Sequence, residues 1–369
     1  WPSANPPAAD VSRMFLRKPG DPFSTITVVD TGEKEKVWTT FGAERWSEQI
    51  DIDVNSSVGR ALISEWLRIL ASHGVKIVRL DAVGYVIKKA GTSCFMVEPE
   101  IYEFLDWIAA AAGAHGLMVL PEVHDDYTTH EKLAARGYWS YDFVLPGLVL
   151  HSLETRRARK LASHLSQSPQ RLFTTLDCHD GIPIQPDLEG ILDREEMLDL
   201  VELVERRGGN VNRLLSGSHS NGLDAHQLNC TYYAALGNND DKYVAARAIQ
   251  LFARGVPQIY YVGLLAGAND YGATSGAGDG RAINRHNFTN EEIDLALTRP
   301  VVQRILRLIR LRHSHPAFEG SLEVESDSPG SLRLRWKRHQ DTCELDVDLS
   351  SDACLVTTRD DRSSDQFLA

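Results

Sequence analysis

Three apolar runs in this chain end on acidic residues, and stretches of helical periodicity separate them. VKIVRLD (75–81), LMVLPEV (117–123) and RLFTTLDCHDG (171–181) each read as a buried strand with a polar tip. YDFVLPG (141–147) and VPQIYYVG (256–263) read as two further strands, ending on Pro146 and Gly263. Ahead of the first strand, Val58, Ala61, Leu62, Trp66, Leu67 and Leu70 recur at helical spacing. Ser56 or Ser57 would cap that helix and Gly74 would end it. A second helix is expected to start at Pro99, bury Ile101, Phe104, Leu105 and Ile108, and close at Gly116. A third, near 241–253, leads to the last strand. Buried strands alternating with helices imply a parallel sheet. Acids at the C-terminal ends of such strands are the habit of the α/β fold known as the (β/α)8 TIM barrel. A doubly wound sheet is the rival. It normally carries a glycine-rich phosphate turn after a strand, and no GxGxxG stands there. Five strands do not close a barrel of eight, so the expectation is a barrel whose first three strands lie upstream of Trp1.

The flanks read differently. Residues 1–57 form a loop-rich inserted subdomain in this reading. It opens on WPSANPPAAD, continues through the loop RKPGDPF (17–23) and holds short strands at 26–29 and 36–41. Residues 58–318 are the barrel part. A helix at 301–312 follows Pro300. Residues 319–369 are a small antiparallel β domain with strands at 331–336 and 344–349, and the polar tail 359–369 is expected to fray. Lys plus Arg number 39 against 51 Asp plus Glu, a net charge of −12, which argues against nucleic acid as a partner. No apolar run approaches the ~18–20 residues that span a bilayer; the run 107–112 is broken by Gly113 and His115. With no secretory signal visible, and five cysteines that are odd in number and lack a CxxC, the expectation is free thiols in the cytoplasm.

The acidic tips carry the chemistry. Asp81 ends its strand two residues after Arg79, which could hold it ionised; the bland alternative is an Arg–Asp pair capping the strand. Glu122 and His124 follow on the next strand, and His179 and Asp180 on a third. Three acidic tips on one sheet suit glycoside chemistry. One carboxylate attacks the anomeric carbon, another protonates the leaving oxygen, and a third stabilises the charge on the ring. His124, His179 and His286 could be metal ligands, but there is no HExxH and no Cys/His cluster, so hydrogen bonding to sugar hydroxyls is the preferred use. Cys178 is expected to turn into the core, away from the acidic face.

RLDAVGY (79–85), EVHD (122–125) and LDCHDG (176–181) resemble, in this order, the strand-end motifs of the α-amylase superfamily, glycoside hydrolase family 13. GTSCF (91–95), CTYYAALG (230–237), VPQIYYVGLLAGAND (256–270) and GRAINRHN (280–287) narrow the resemblance to its sucrose phosphorylase branch. The likeness runs from about Phe15 to Gly320. It implies Asp81 as nucleophile, Glu122 as general acid/base and Asp180 as transition-state stabiliser. It implies sugar or active-site contacts for Arg79, Gln49, His124, His179 and Arg281, and it implies no metal or organic cofactor. The family commonly has an acid after that arginine, where this chain has Ala282. YGATSGAGD (271–279) is small and glycine-rich where relatives carry longer charged side chains.

In this branch the acceptor half of the pocket decides the substrate. Arg17, where relatives acting on plain sucrose tend to have proline, and His226, in the loop NGLDAHQLN (221–229), replace neutral or bulkier residues. Arginine is the residue best suited to phosphate or carboxylate. The expectation is therefore phosphorolysis of sucrose 6'-phosphate, with an acceptor-site loop at about 182–229. Sucrose, glucosylglycerate and glucosylglycerol stand as alternative substrates. A plain hydrolase or transglucosidase, and a non-catalytic amylase-like scaffold, are the other readings. The partners implied are a small sugar and inorganic phosphate, with no nucleic acid and no membrane.

Overall fold

The computed structural model describes residues 12–15, 22–41, 49–213, 223–274, 280–360 and 364–369. Contacts divide the chain into two compact units. One is 1–123 with 138–140 and 214–220; the other holds the remainder.

In the first unit, β1 (Phe23–Thr27) and β2 (Lys34–Trp38) form an antiparallel hairpin, pairing Phe23 with Trp38. Helix α1 (Ser57–Ser72) starts where Ser56 caps it, its hydroxyl accepting the Gly59 N–H at 2.9 Å. Only Gly59 and Leu67 of α1 are buried; Val58, Leu62, Trp66, Ile69 and Leu70 are exposed. Strand β3 (Ile77–Leu80) follows, then α2 (Glu100–Gly113), for which Pro99 is the cap residue and not the first turn. Helix α2 buries the expected Ile101, Phe104, Leu105 and Ile108. It stops at Gly113, and Gly116 makes the turn beyond it with φ +71°. Strand β4 (Met118–Pro121) lies parallel to β3, with Arg79 opposite Leu120 and Leu80 opposite Pro121. The ladder runs one step further, the Glu122 N–H donating to the Leu80 carbonyl at 3.1 Å. That step brings the residues after the two strands side by side.

The second unit holds α3 (Tyr127–Ala135), the last two residues of β5 (Ser140–Asp142), α4 (Val144–Thr155), α5 (Arg159–Gln167) and β6 (Leu172–Thr174). Here the expected strand 141–147 is corrected. Only its first two residues are strand, and Pro146 sits in the first turn of α4, where proline is tolerated. Val144 to Leu153 are all buried, so the segment shows no polar face to reveal its helical period. After β6 come β7 (Ile182–Pro183), α6 (Arg194–Arg206), β8 (Asn210–Arg213) and β9 (Ala225–Asn229), the three strands forming an antiparallel sheet in the order β7-β9-β8. His226 therefore lies in a buried strand and not in a loop.

Helix α7 (Asp240–Phe252), capped by Asn239, leads to β10 (Val256–Pro257). β10 pairs in parallel with β6, which also borders β5. The rest of the expected last strand turns helical at Tyr261–Leu264, and Gly263 fits there because an added Cβ would lie 2.0 Å from Asp177 and Arg247 atoms. Helices α8 (Asn290–Leu297) and α9 (Pro300–Ser314) precede a five-stranded antiparallel meander. It runs β11 (Ser321–Glu325), β12 (Ser331–Arg338), β13 (Asp341–Asp348), β14 (Ala353–Arg359) and β15 (Ser364–Leu368). The tail is thus paired, and Ala369 is buried with its carbonyl on Arg304. The meander shares one apolar core with α4, α7 and α9. No helix is long and apolar enough to cross a membrane.

Candidate active site

In the first unit, Arg79 gathers two acids. Its Nη1 lies 2.5 Å from Asp81 Oδ1 and its Nη2 lies 2.5 Å from Glu122 Oε1. The Asp81 side chain is 75% exposed and that of Glu122 only 9%, so one carboxylate faces outward and the other is held inside. The second Glu122 oxygen accepts the Ala82 N–H at 3.0 Å. Ala82 adopts φ +47°, a left-handed conformation that is rare for a residue with a Cβ and is often found where a site demands it. Gly84 then lets the chain pass Phe95, whose ring lies 2.5 Å from the place of an added Cβ. Gln49 is exposed and takes no part in these contacts. Arg17 lies outside the described residues.

In the second unit, Asp180 follows β6 between two guanidiniums and an imidazole. Arg281 Nη1 donates to its Oδ1 at 2.9 Å, Arg285 Nη2 lies 3.5 Å away, and His179 Nε2 is 3.6 Å from Oδ2. Burial pushes the Asp180 pKa up, but the His179 imidazole and the Arg281 guanidinium pull harder, and the net effect is a lowered value. Asn284 donates to the Asp180 carbonyl at 2.7 Å and Arg285 Nε to the His179 carbonyl at 2.6 Å, tying the turn to the GRAINRHN motif. Cys178 is half-buried, with its sulfur accepting the Asp180 N–H at 3.3 Å, so it bends toward this turn and does not enter the core. Among the described residues, ligand-type atoms of Cys178, His179 and Asp180 come within 4.8 Å of one another. The two guanidiniums beside Asp180 oppose a cation there.

Behind this turn Asp177 is buried against Arg247, Nη2 to Oδ2 at 2.5 Å, and Arg247 is itself fully buried beside Tyr243 and Gln250. His124 stacks on Phe143 at 4.1 Å and meets His226 edge-on at 5.5 Å. His226 donates its Nδ1 hydrogen to the Gln185 carbonyl at 2.7 Å. His286 sits apart from these groups, between Asp270 (2.6 Å) and Glu292 (3.3 Å).

Of the residues expected from sequence, the structure joins Arg79, Asp81 and Glu122 in one cluster, His179, Asp180 and Arg281 in a second, and His124 with His226 in a third. Arg285, Asn284, Asp187 and Gln227 were not anticipated. The first two stand inside GRAINRHN, which was a signal. Gln227 stands next to His226 in NGLDAHQLN, and Asp187 carried no signal.

Sucrose 6(F)-phosphate phosphorylase of Thermoanaerobacterium thermosaccharolyticum is 48% identical over 353 residues, covering 95% of this chain and 72% of that protein. The crystal structure of a sucrose 6F-phosphate phosphorylase from Thermoanaerobacter thermosaccharolyticum superposes with a TM-score of 0.96 at 46% identity, covering 100% of this chain and 75% of that one. The chain belongs to the sucrose phosphorylase branch of glycoside hydrolase family 13. Another relative in this branch is the glucosylglycerol phosphorylase of Marinobacter adhaerens, 41% identical over 95% of the chain and 72% of that protein. No protein-family model matches the chain. Its fold is that of the α-amylase-type (β/α)8 barrel with a C-terminal antiparallel sheet, and the parallel pairs β3–β4 in one unit and β6–β10 in the other are strand pairs of the kind such a barrel contains.

Proposed function

We propose that the chain carries the glucosyl-transfer chemistry of a retaining phosphorylase acting on sucrose 6'-phosphate. The observation that carries this reading is the 48% identity, over 95% of the chain, to a protein named for that reaction. Asp81 attacks the anomeric carbon while Glu122 protonates the departing oxygen of fructose 6-phosphate. A β-glucosyl ester of Asp81 forms, and Asp180 stabilises the positive charge that develops on the ring. Phosphate then attacks the ester, Glu122 takes the proton it gives up, and α-glucose 1-phosphate leaves with net retention. Arg79, Gln49, His179 and Arg281 contact the donor sugar. Arg17 and His226 hold the acceptor phosphate. Because His226 gives its Nδ1 hydrogen to a carbonyl, it donates to phosphate only as the imidazolium, through Nε2–H. The setting is the cytoplasm, where both phosphate and phosphorylated sugars are at hand. In this reading residues 1–57 are the inserted subdomain, 58–318 the barrel part and 319–369 the C-terminal β domain.

The glucosylglycerol phosphorylase relative favours a second reading, with glycerol in place of fructose 6-phosphate. Glucose 1-phosphate released from sucrose 6'-phosphate, sucrose and glucosylglycerol, each with phosphate, separates the two. Preference for either uncharged donor would remove Arg17 and His226 from the proposal. Free glucose in place of glucose 1-phosphate would make the protein a hydrolase. Asp81→Asn is expected to abolish turnover. Glu122→Gln is expected to slow sucrose 6'-phosphate severely and to spare glucosyl fluoride, whose leaving group needs no proton. Equal loss on both donors would take the acid role from Glu122.

A further inference from the structure

His124 sits in a chain of hydrogen bonds that is closed at both ends by groups with a fixed role. At one end is Asp187, fully buried, whose Oδ2 lies 3.0 Å from His124 Nδ1. Its other oxygen has no hydrogen-bond partner among the described residues, so this carboxylate is directed at the imidazole. On the far edge of the ring, Gln227 Nε2 lies 3.4 Å from His124 Nε2. The amide is oriented by its oxygen, which accepts the Gly181 N–H at 3.5 Å. Gly181 follows Asp180 directly, and its lack of a Cβ is required, since one would lie 2.6 Å from the Leu228 carbonyl oxygen.

A backbone N–H only donates, and an ionised carboxylate only accepts. Gly181 therefore makes the Gln227 oxygen an acceptor and leaves its NH2 to face His124. Asp187 makes Nδ1 the protonated nitrogen. Both ends demand the same imidazole, with hydrogen on Nδ1 and a lone pair on Nε2. Phe143, stacked on the ring at 4.1 Å and 16°, keeps its plane.

We propose that Asp187 is a positioning residue that fixes the hydrogen-bond polarity of His124, so that His124 presents Nε2 as an acceptor. The functional half rests on the glucosyl-transfer reading above; the polarity itself does not. An acceptor edge takes a donor such as a hydroxyl, in place of the Gln227 amide that stands at 3.4 Å here, and rejects an ionised phosphate or carboxylate oxygen. His124 is thereby assigned to a sugar hydroxyl, and the anion of the acceptor must be held elsewhere.

The test uses nitrogen NMR of histidine-labelled protein near neutral pH, with the His124 signals assigned by their loss in His124→Gln. The protein as it stands should show a protonated Nδ1 and an unprotonated Nε2; the opposite tautomer, or a ring exchanging between both, overturns the proposal. Gln227→Glu places acceptors on both edges and should give a doubly protonated ring. Adding Asp187→Asn to Gln227→Glu reverses both links to the imidazole while keeping the shapes, and should move the hydrogen to Nε2. Retention of the Nδ1–H form in that double variant would overturn the proposal. The double variant should regain most of any thermal stability lost by Gln227→Glu, yet stay about tenfold or more below the unmodified protein in kcat/KM for sucrose 6'-phosphate. Full recovery of the rate with the reversed tautomer would reduce Asp187 to a packing role. If no variant turns over any donor, the transfer reading fails while the NMR still decides the polarity.

Discussion

Arg79 holds two carboxylates with one side chain, and only a guanidinium has the spread to do so. Its two Nη atoms reach Asp81 and Glu122 at 2.5 Å each. A lysine offers a single point charge and cannot span them. Arg79→Lys is therefore expected to lower turnover about 10–100-fold with little change in thermal stability, since lysine keeps a cation beside the buried Glu122 carboxylate and the pair with the largely exposed Asp81 side chain contributes little. Steady-state rates and a melting curve check this; parallel loss of fold and rate would make Arg79 a structural residue only. This cluster was legible in sequence because spacing places it: Arg79 and Asp81 stand two apart on one strand tip, and Glu122 ends the neighbouring strand. Asp187 and Gln227 were not legible. Asp187 stands in no motif, and only the antiparallel register of β9 brings Gln227 back to Gly181. Cys178 was misjudged because strand alternation ceases at Thr174, well before the turn that carries it.

Among the elements, the link between the 280–286 segment and α8 rests on titratable groups. Asp270 hydrogen-bonds His286 Nδ1 and raises its pKa above the usual imidazole range, with Glu292 adding to the effect. His286 in turn holds the Asp270 carboxyl below its usual range. For the imidazole, the raised value means a contribution fully present below its unfolded pKa and lost as pH rises through the folded one. For the carboxylate, the lowered value means a contribution present above its unfolded pKa and lost as pH falls through the folded one. The contact is strongest between the two ranges. Amide exchange at 286–297 should thus be slower at about pH 6 than at about pH 9 after correction for the intrinsic rate. His286→Asn should remove the difference, and equal protection at both pH values in the unmodified protein would show that the contact does not titrate. The elements themselves were legible where one face is wet, as in α2 and α9. They were misread where every face is buried, as in α4, or where a strand lasts two residues, as in β10. The tail 359–369 was misread for a different reason. Its polar residues sit on an edge strand, where backbone pairing to β14 supplies the order.

For the molecule as a whole, the second unit should unfold as one body, C-terminal meander included. β12 turns Leu332, Leu334 and Trp336 inward, and these join the same core as α4, α7 and α9. Trp336 donates its indole N–H to the Phe252 carbonyl at the end of α7, at 2.7 Å. Arg312 of α9 lies against the Phe318 ring at 4.5 Å and the Trp336 ring at 5.0 Å, and donates to the Gly255 carbonyl at 2.8 Å, just ahead of β10. Burial pushes the Arg312 pKa down to about 10, still charged at neutral pH. A cation–π contact of this buried kind replaces the carboxylate that a buried guanidinium would otherwise need. One side chain thus fastens helix, meander and barrel strand. Trp336→Ala removes the ring, the indole hydrogen bond and the seat of Arg312 together. It is expected to cost about 3–5 kcal/mol, as large aromatic truncations in a core do. The informative readout is the shape of the denaturant curve followed by two probes, one in the meander and one in α7. Shared core and shared anchors predict coincident transitions that move to lower denaturant together in Trp336→Ala. A meander that melted separately, leaving the α7 signal at its original midpoint, would mean that the packing between them contributes little to the fold.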